Sequence, residues 1–143
     1  METANKGCTA LLILSDGQEN RSRHSWPELR RYLLETNVAV YAIAFEQIPT
    51  GVKAAALAQV RNGLNRLAEM AALTGGRSFV IREQDDAAAA GRLAARALRE
   101  RYVLAISASR SGPGGWRKIT VHVREPHARL SYRRSYRDPG GER

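Results

Sequence analysis

The sequence has one cysteine, Cys8, which excludes an internal disulfide and any zinc cage built on thiolates. Histidine is almost as scarce. His24, His122 and His127 stand far apart, without the spacing of a histidine-based metal site. No apolar stretch approaches the roughly 20 residues that cross a bilayer as a helix. The longest tight run, Ala10 to Leu14, is the size of a strand. Met1 to Cys8 is too short and too polar to read as a secretory leader. Aromatic residues make up 6% of the chain, and there is neither an internal repeat nor a long low-complexity tract. What remains is the composition of a folded domain: 143 residues, 43% hydrophobic and 26% charged, enough for one domain and not for two.

Charge is present in excess of one sign. Lys and Arg number 23 against 14 Asp and Glu, a formal +9, and the excess is concentrated from Arg110 onward. A basic stretch of this kind attracts nucleic acid or another anionic surface. The arginines at 129, 133 and 137 alternate with leucine and tyrosine, which is also the pattern of a wetted strand face.

Hydrophobic periodicity divides the chain. Thr9 to Leu14 is a continuous apolar run closed by Ser15-Asp16-Gly17, the pattern of a strand buried on both faces in a parallel sheet. Ser25-Trp26-Pro27-Glu28 has the form of a capping box with proline in the first turn, and Leu29 and Leu33 share a face of the helix it opens. Val38 to Ala44 is a second β-branched run, which completes a βαβ unit. Pro49 and Gly51 predict a loop and Val52 to Val60 a short helix. A separate amphipathic helix is expected over Leu64, Leu67, Ala68 and Ala71, stopped by Thr74-Gly75-Gly76. Arg77 to Ile81 reads as a third strand. Asp85 and Asp86 stand where acids favour a helix N-terminus, and the Ala-rich helix that follows should turn Leu93, Ala94, Ala97 and Leu98 inward.

From Tyr102 the period changes to two. Tyr102 to Ser109, Trp116 to Val123 and Leu130 to Tyr136 predict antiparallel strands joined by turns such as Ser111 to Gly115. The fold class expected is therefore α/β: a Rossmann-like parallel sheet with flanking helices over residues 1–101. An antiparallel extension packs on it over 102–137, and a disordered tail covers 138–143.

Asp16 is the first candidate for chemistry. It stands at the carboxyl end of the first strand, where open α/β sheets bind ligands, and a carboxylate there with Ser15 beside it suits a hard cation. An Asp-Gly pair is equally a common turn signal. Gly17, Glu19 and Asn20 belong to the same loop and are candidate binding residues. A Ser15–His24–Asp16 triad lacks the glycine elbow and the register of a nucleophile, so no catalytic residue is assigned. Gly75-Gly76 reads as a helix cap before a phosphate cradle, Trp26 and Trp116 as packing anchors, and Cys8 as an unactivated thiol.

Leu11-Leu-Ile-Leu-Ser-Asp-Gly-Gln-Glu-Asn20 resembles the fourth-strand motif of von Willebrand factor type A domains. Val38 to Ala44 resembles the next strand, and Leu67-Ala-Glu-Met-Ala-Ala-Leu-Thr-Gly-Gly-Arg-Ser-Phe79 resembles the late helix and its following strand. Arg101 to Leu104, Trp116 to Val121 and Leu130 to Tyr136 are similar to the tail of a bacterial VWFA-related subgroup. The likeness runs from Thr9 to Tyr136, in the order of the carboxyl-terminal half of that domain. It implies a non-catalytic protein- or ligand-binding role in adhesion or assembly, through a metal-ion-dependent site that holds Mg²⁺. Relatives of this kind are often exported. In the family, an Asp-x-Ser-x-Ser motif and a loop threonine supply most of the metal ligands. Only the last carboxylate has a counterpart here, Asp16, so an incomplete site with no tight Mg²⁺ is expected. A truncated or misassigned start, and a strand at 9–14 left with an open edge that seeks a protein partner or a second copy, follow from the same resemblance. A small basic nucleic-acid-binding protein using the arginine-rich strands is the alternative.

Overall fold

The computed structural model describes residues 9–18, 21–46, 51, 53–82, 86–104, 114–125 and 127–138. Cys8, Glu19, Asn20 and Asp85 fall outside the described residues, as do the Pro49 of the expected loop and the whole of 105–113.

Three parallel strands form the centre: β1 (Thr9–Ser15), β2 (Val38–Phe45) and β3 (Ser78–Ile81), in the order β1-β2-β3. Thr9 pairs with Val38 and Ser15 with Ala44 at one side of β2, while Ala42 to Phe45 pair with Ser78 to Ile81 at the other. Helix α1 (Trp26–Glu35) connects the first two strands and α2 (Ala54–Thr74) the second two, and α3 (Asp86–Arg99) follows β3. A short antiparallel pair, β4 (Gly115–Lys118) and β5 (Ser135–Asp138), forms a second sheet that contacts α1 through β5. This is the expected α/β, Rossmann-like arrangement with a separate antiparallel element.

The pleat of β2 explains how the layers are held. Successive side chains of a strand point to opposite faces. Ala42 and Ala44 meet Leu67 of α2, joined by Ile13, Leu64 and Met70. Ile43 meets Ile81 and the small residues Ala90 and Ala94 of α3, joined by Phe45 and Phe79. Alanines on both sides of the interface let helix and sheet backbones approach closely, so β2 is the buried strand.

β1 departs from the sequence expectation of a strand buried on both faces. α3 packs on β2 and β3, and among the described elements no helix layer covers the side chains of β1 on that face. Leu12 and Leu14 are accordingly 43% and 61% exposed. Among the described residues β1 pairs with β2 alone.

Local signals account for the helix boundaries. The backbone N–H and the hydroxyl of Ser25 both donate to Glu28 Oε2, at 2.7 and 2.8 Å, with Pro27 in the first turn. At the far end of α2, Gly75 takes the left-handed conformation (φ 80°) and Gly76 N–H donates to Ala71 O. Thr74 completes this end. Its buried hydroxyl donates to Met70 O at 2.8 Å and accepts the Val40 N–H at 2.9 Å, which fastens helix to strand.

Four further expectations are corrected. One helix, Ala54–Thr74, stands where two are expected: Val60, Gly63, Leu67, Ala71 and Thr74 form a single buried stripe along α2 with no break at Asn62-Gly63, and Val52 lies outside the described residues. Leu93 is half-exposed because the inner line of α3 runs through Ala90 and Ala94. Among the described residues the antiparallel strands are shorter than their alternating patterns suggest: neither Tyr102–Leu104 nor His122–Val123 is in a strand, and the ladder spans Gly115–Lys118 and Ser135–Asp138, with one further bond from Ile119 N–H to Arg134 O. Asp138, placed in the tail by its sequence position, ends β5. It is 4% exposed and accepts from Arg117 Nε at 3.3 Å.

Candidate functional site

β1 delivers Ser15, Asp16 and Gly17 to the carboxyl edge of the parallel sheet, the edge at which such sheets receive ligands. Two side chains fold the loop back on itself. Gly17 N–H donates to Ser15 Oγ and Gln18 N–H to Asp16 Oδ1, each at 3.0 Å. These are the local turns that serine and aspartate favour after a strand. The Asp16 side chain is otherwise exposed at the rim.

Gly17 is then clamped against the middle of α2. It has φ 79°, a conformation that side-chain-bearing residues rarely adopt. A Cβ placed on Gly63 would stand 1.8 Å from Gly17 O, and one on Gly17 would stand 2.8 Å from the Gly63 carbonyl carbon. The two backbones touch only because neither residue has a side chain. This contact sets the position of the whole Ser15–Gln18 loop relative to α2.

Between the loop, the start of α1 and this stretch of α2 lies a cleft of about 130 Å³. Ser15, Gln18, Ser22 and His24 give it polar walls, and Trp26 and Met70 apolar ones. Arg66, also lining it, lies over the Trp26 ring at 5.7 Å from the centroid. The ring of His24 meets Tyr32 edge to face at 6.0 Å. Glu28, at the first turn of α1, has its carboxyl held below the ordinary 4.5 by the Ser25 N–H and then the Ser25 hydroxyl.

Ser15, Asp16 and Gly17 are thus brought together as the sequence suggests, while Glu19 and Asn20 lie outside the described residues. The residues that sequence reasoning missed are Arg66, Gly63 and Met70, and Trp26 lines the cleft besides opening α1. One signal was available for Gly63, a glycine inside an amphipathic pattern, which marks a close approach when it is not a break.

Asp16 and Ser15 do not by themselves fit Mg²⁺. The ion asks for octahedral oxygen coordination, and here a single carboxylate and a single hydroxyl are both engaged with backbone amides. Among the described residues no three of His, Cys, Asp and Glu come together as a metal-binding group.

The arginine-rich stretch is tied down at several points. Arg133 donates to Leu34 O at 2.9 Å, to Leu33 O at 3.2 Å and to Thr36 O, closing the C-terminal end of α1. Its burial there lowers the guanidinium pKa. Arg137 pairs with Glu35 and Arg117 with Asp138. These three cations therefore serve the protein's own carbonyls and carboxylates.

No helix among the described residues is long and apolar enough to cross a membrane. Comparison of the chain with family models, curated proteins and solved structures gives no match. What the structure itself defines is the class: a Rossmann-like α/β protein with a small cleft at the carboxyl edge of its sheet.

Proposed function

We propose that this chain is a non-catalytic, protein-binding domain of von Willebrand A type, acting in adhesion or assembly. Its binding surface is the carboxyl edge of the sheet at Ser15, Asp16 and Gly17, with Glu19 and Asn20, next in sequence, as further candidate residues. The observation that carries this reading is the loop after β1. An exposed carboxylate stands at the ligand-receiving edge of a parallel sheet, in a loop held by the Gly17–Gly63 contact beside a cleft. The sequence resemblance from Thr9 to Tyr136 supplies the family. The side of β1 that no described strand occupies, with Leu12 and Leu14 exposed, supports association with a further strand as a second part of the same role.

Selection of displayed random peptides on the purified chain tests the reading. The expected result is a set of peptides whose affinity falls about tenfold or more in Asp16→Ala, the loss of one charge-assisted hydrogen bond. Circular dichroism should be unchanged, because Asp16 is exposed. Peptides that bind Asp16→Ala as tightly as the parent chain, or no selected peptides at all, would overturn it.

A further inference from the structure

We infer that the cleft beside Gly17 is a metal-independent carboxylate pocket that takes an aspartate or glutamate side chain of the protein partner. The inference rests on the reading of this edge as a protein-binding surface.

Charge is the first support. Among the described residues no carboxylate lines the cleft, whereas Arg66 does. Arg66 forms no ion pair with a described residue, while Arg30, on the neighbouring helix, is neutralised by Glu69 at 3.3 Å. A guanidinium held over an aromatic ring keeps its plane fixed and its N–H edge open, the geometry that grips a carboxylate through two parallel hydrogen bonds. The formal +9 of the chain draws an acidic partner from a distance.

Further polar groups line the cleft. Ser15 Oγ accepts the Gly17 N–H, which leaves its own proton to donate. Ser22 and His24 line the same space, and Asp16, Glu28 and Glu69, each next in sequence to a lining residue, are not in its wall. Trp26 and Met70 provide an apolar wall for the methylenes that precede a side-chain carboxylate.

Size selects among anions. Cofactor and drug-sized sites run to about 300–1,000 Å³. The 130 Å³ here admits one side chain and not a nucleotide.

The test is a titration of the ¹⁵N-labelled chain with N-acetylglutamate amide at constant ionic strength, with a chelator present throughout. Inorganic phosphate and N-acetylglutamine amide serve as the comparison ligands. The expected result is saturable movement of the Trp26 indole and the Gly17 and Gly63 amides, with the Trp116 indole unmoved. Arg66→Gln should weaken binding about tenfold or more and Arg66→Lys by less, since lysine keeps the charge and loses the fork. Arg66 is exposed, so both variants should keep the parent circular dichroism spectrum. Glutamine binding equal to glutamate, phosphate binding tighter than glutamate, a glutamate response that appears only when Mg²⁺ replaces the chelator in a parallel titration, or undiminished binding in Arg66→Gln would each overturn the pocket. Peptide capture that survives while the glutamate response is absent overturns the pocket alone. Absence of both removes the protein-binding reading beneath it.

Discussion

Two glycines that sit inside helices should respond to alanine with opposite signs. Gly91, in α3, has nothing within 4 Å of the position a Cβ would take. Alanine there removes backbone freedom from the unfolded chain and restores helix propensity, a gain of about 0.5–1 kcal/mol. Gly63, in α2, has the same intrinsic preference for alanine. Its Cβ would lie 1.8 Å from Gly17 O, more than an ångström inside the 3.0 Å that real Cβ atoms respect. Neither contact partner is a flexible side-chain tip. Backbone must move, either the Ser15–Gln18 loop or the helix, and overpacking of this kind costs roughly 1–3 kcal/mol even after relaxation. The helix-propensity gain is common to both, so the two variants should differ by the overpacking cost, about 1–3 kcal/mol, or on the order of 3–12 °C in unfolding midpoint. Thermal unfolding followed by far-ultraviolet circular dichroism reads the difference directly. The Gln18 amide, held by Asp16 in the displaced loop, should shift in Gly63→Ala and stay in place in Gly91→Ala. A Gly63→Ala chain that melts as high as Gly91→Ala would refute the close contact, and with it the account of what positions the loop.

Three more outcomes follow from contacts already described. Thr74→Val removes the hydroxyl shared between Met70 O and Val40 N–H and leaves a buried donor unmet, so a loss of about 1–3 kcal/mol in denaturant unfolding is expected, with faster hydrogen exchange at Val40. Arg133→Met uncovers the carbonyls at the end of α1 and should cost roughly 1–3 kcal/mol, with Arg133→Lys recovering only part because its ammonium cannot fork across three acceptors. Glu28 has a folded pKa below its ordinary value, so its cap stabilises α1 above pH 4.5 and is lost as pH falls from there through the folded value. A carbon-13 titration of the Glu28 carboxyl should give a midpoint below 4.5 that Ser25→Ala moves only part of the way back, since the Ser25 backbone N–H is the larger cause.

The parts of the fold that could be read in the sequence are those fixed by neighbours along the chain. Ser25 and Glu28 state the start of α1, Gly75 states the end of α2, and the runs at Thr9 and Val38 state two parallel strands. What could not be read depends on residues far apart. Gly63 looks like a break between two helices until Gly17 is seen to occupy the space of its missing side chain. β1 and β2 are equally apolar, yet only β2 lies between two helical layers, and nothing local to either run tells which is central. The alternation after Tyr102 is real, but the β4–β5 ladder covers four residues on each strand, with one further backbone hydrogen bond from Ile119 N–H to Arg134 O. At the site, Ser15 to Gly17 announced themselves by position after a strand. Arg66 did not, because its meeting with Trp26 and the loop exists only once α1 and α2 are side by side.

The grip of Arg133 on α1 has a bearing on how the chain reaches this state. The acceptors it closes, at Leu33, Leu34 and Thr36, lie 97 to 100 residues before it. During synthesis the first βαβ unit is therefore made long before the residue that finishes its helix. Until then the end of α1 must rely on water. Contacts of such long sequence separation form late and slowly, so the last stage of maturation should be the docking of the 131–134 segment onto a sheet already assembled, and a stalled or clipped chain that keeps every strand of the parallel sheet would still carry an unfinished first helix.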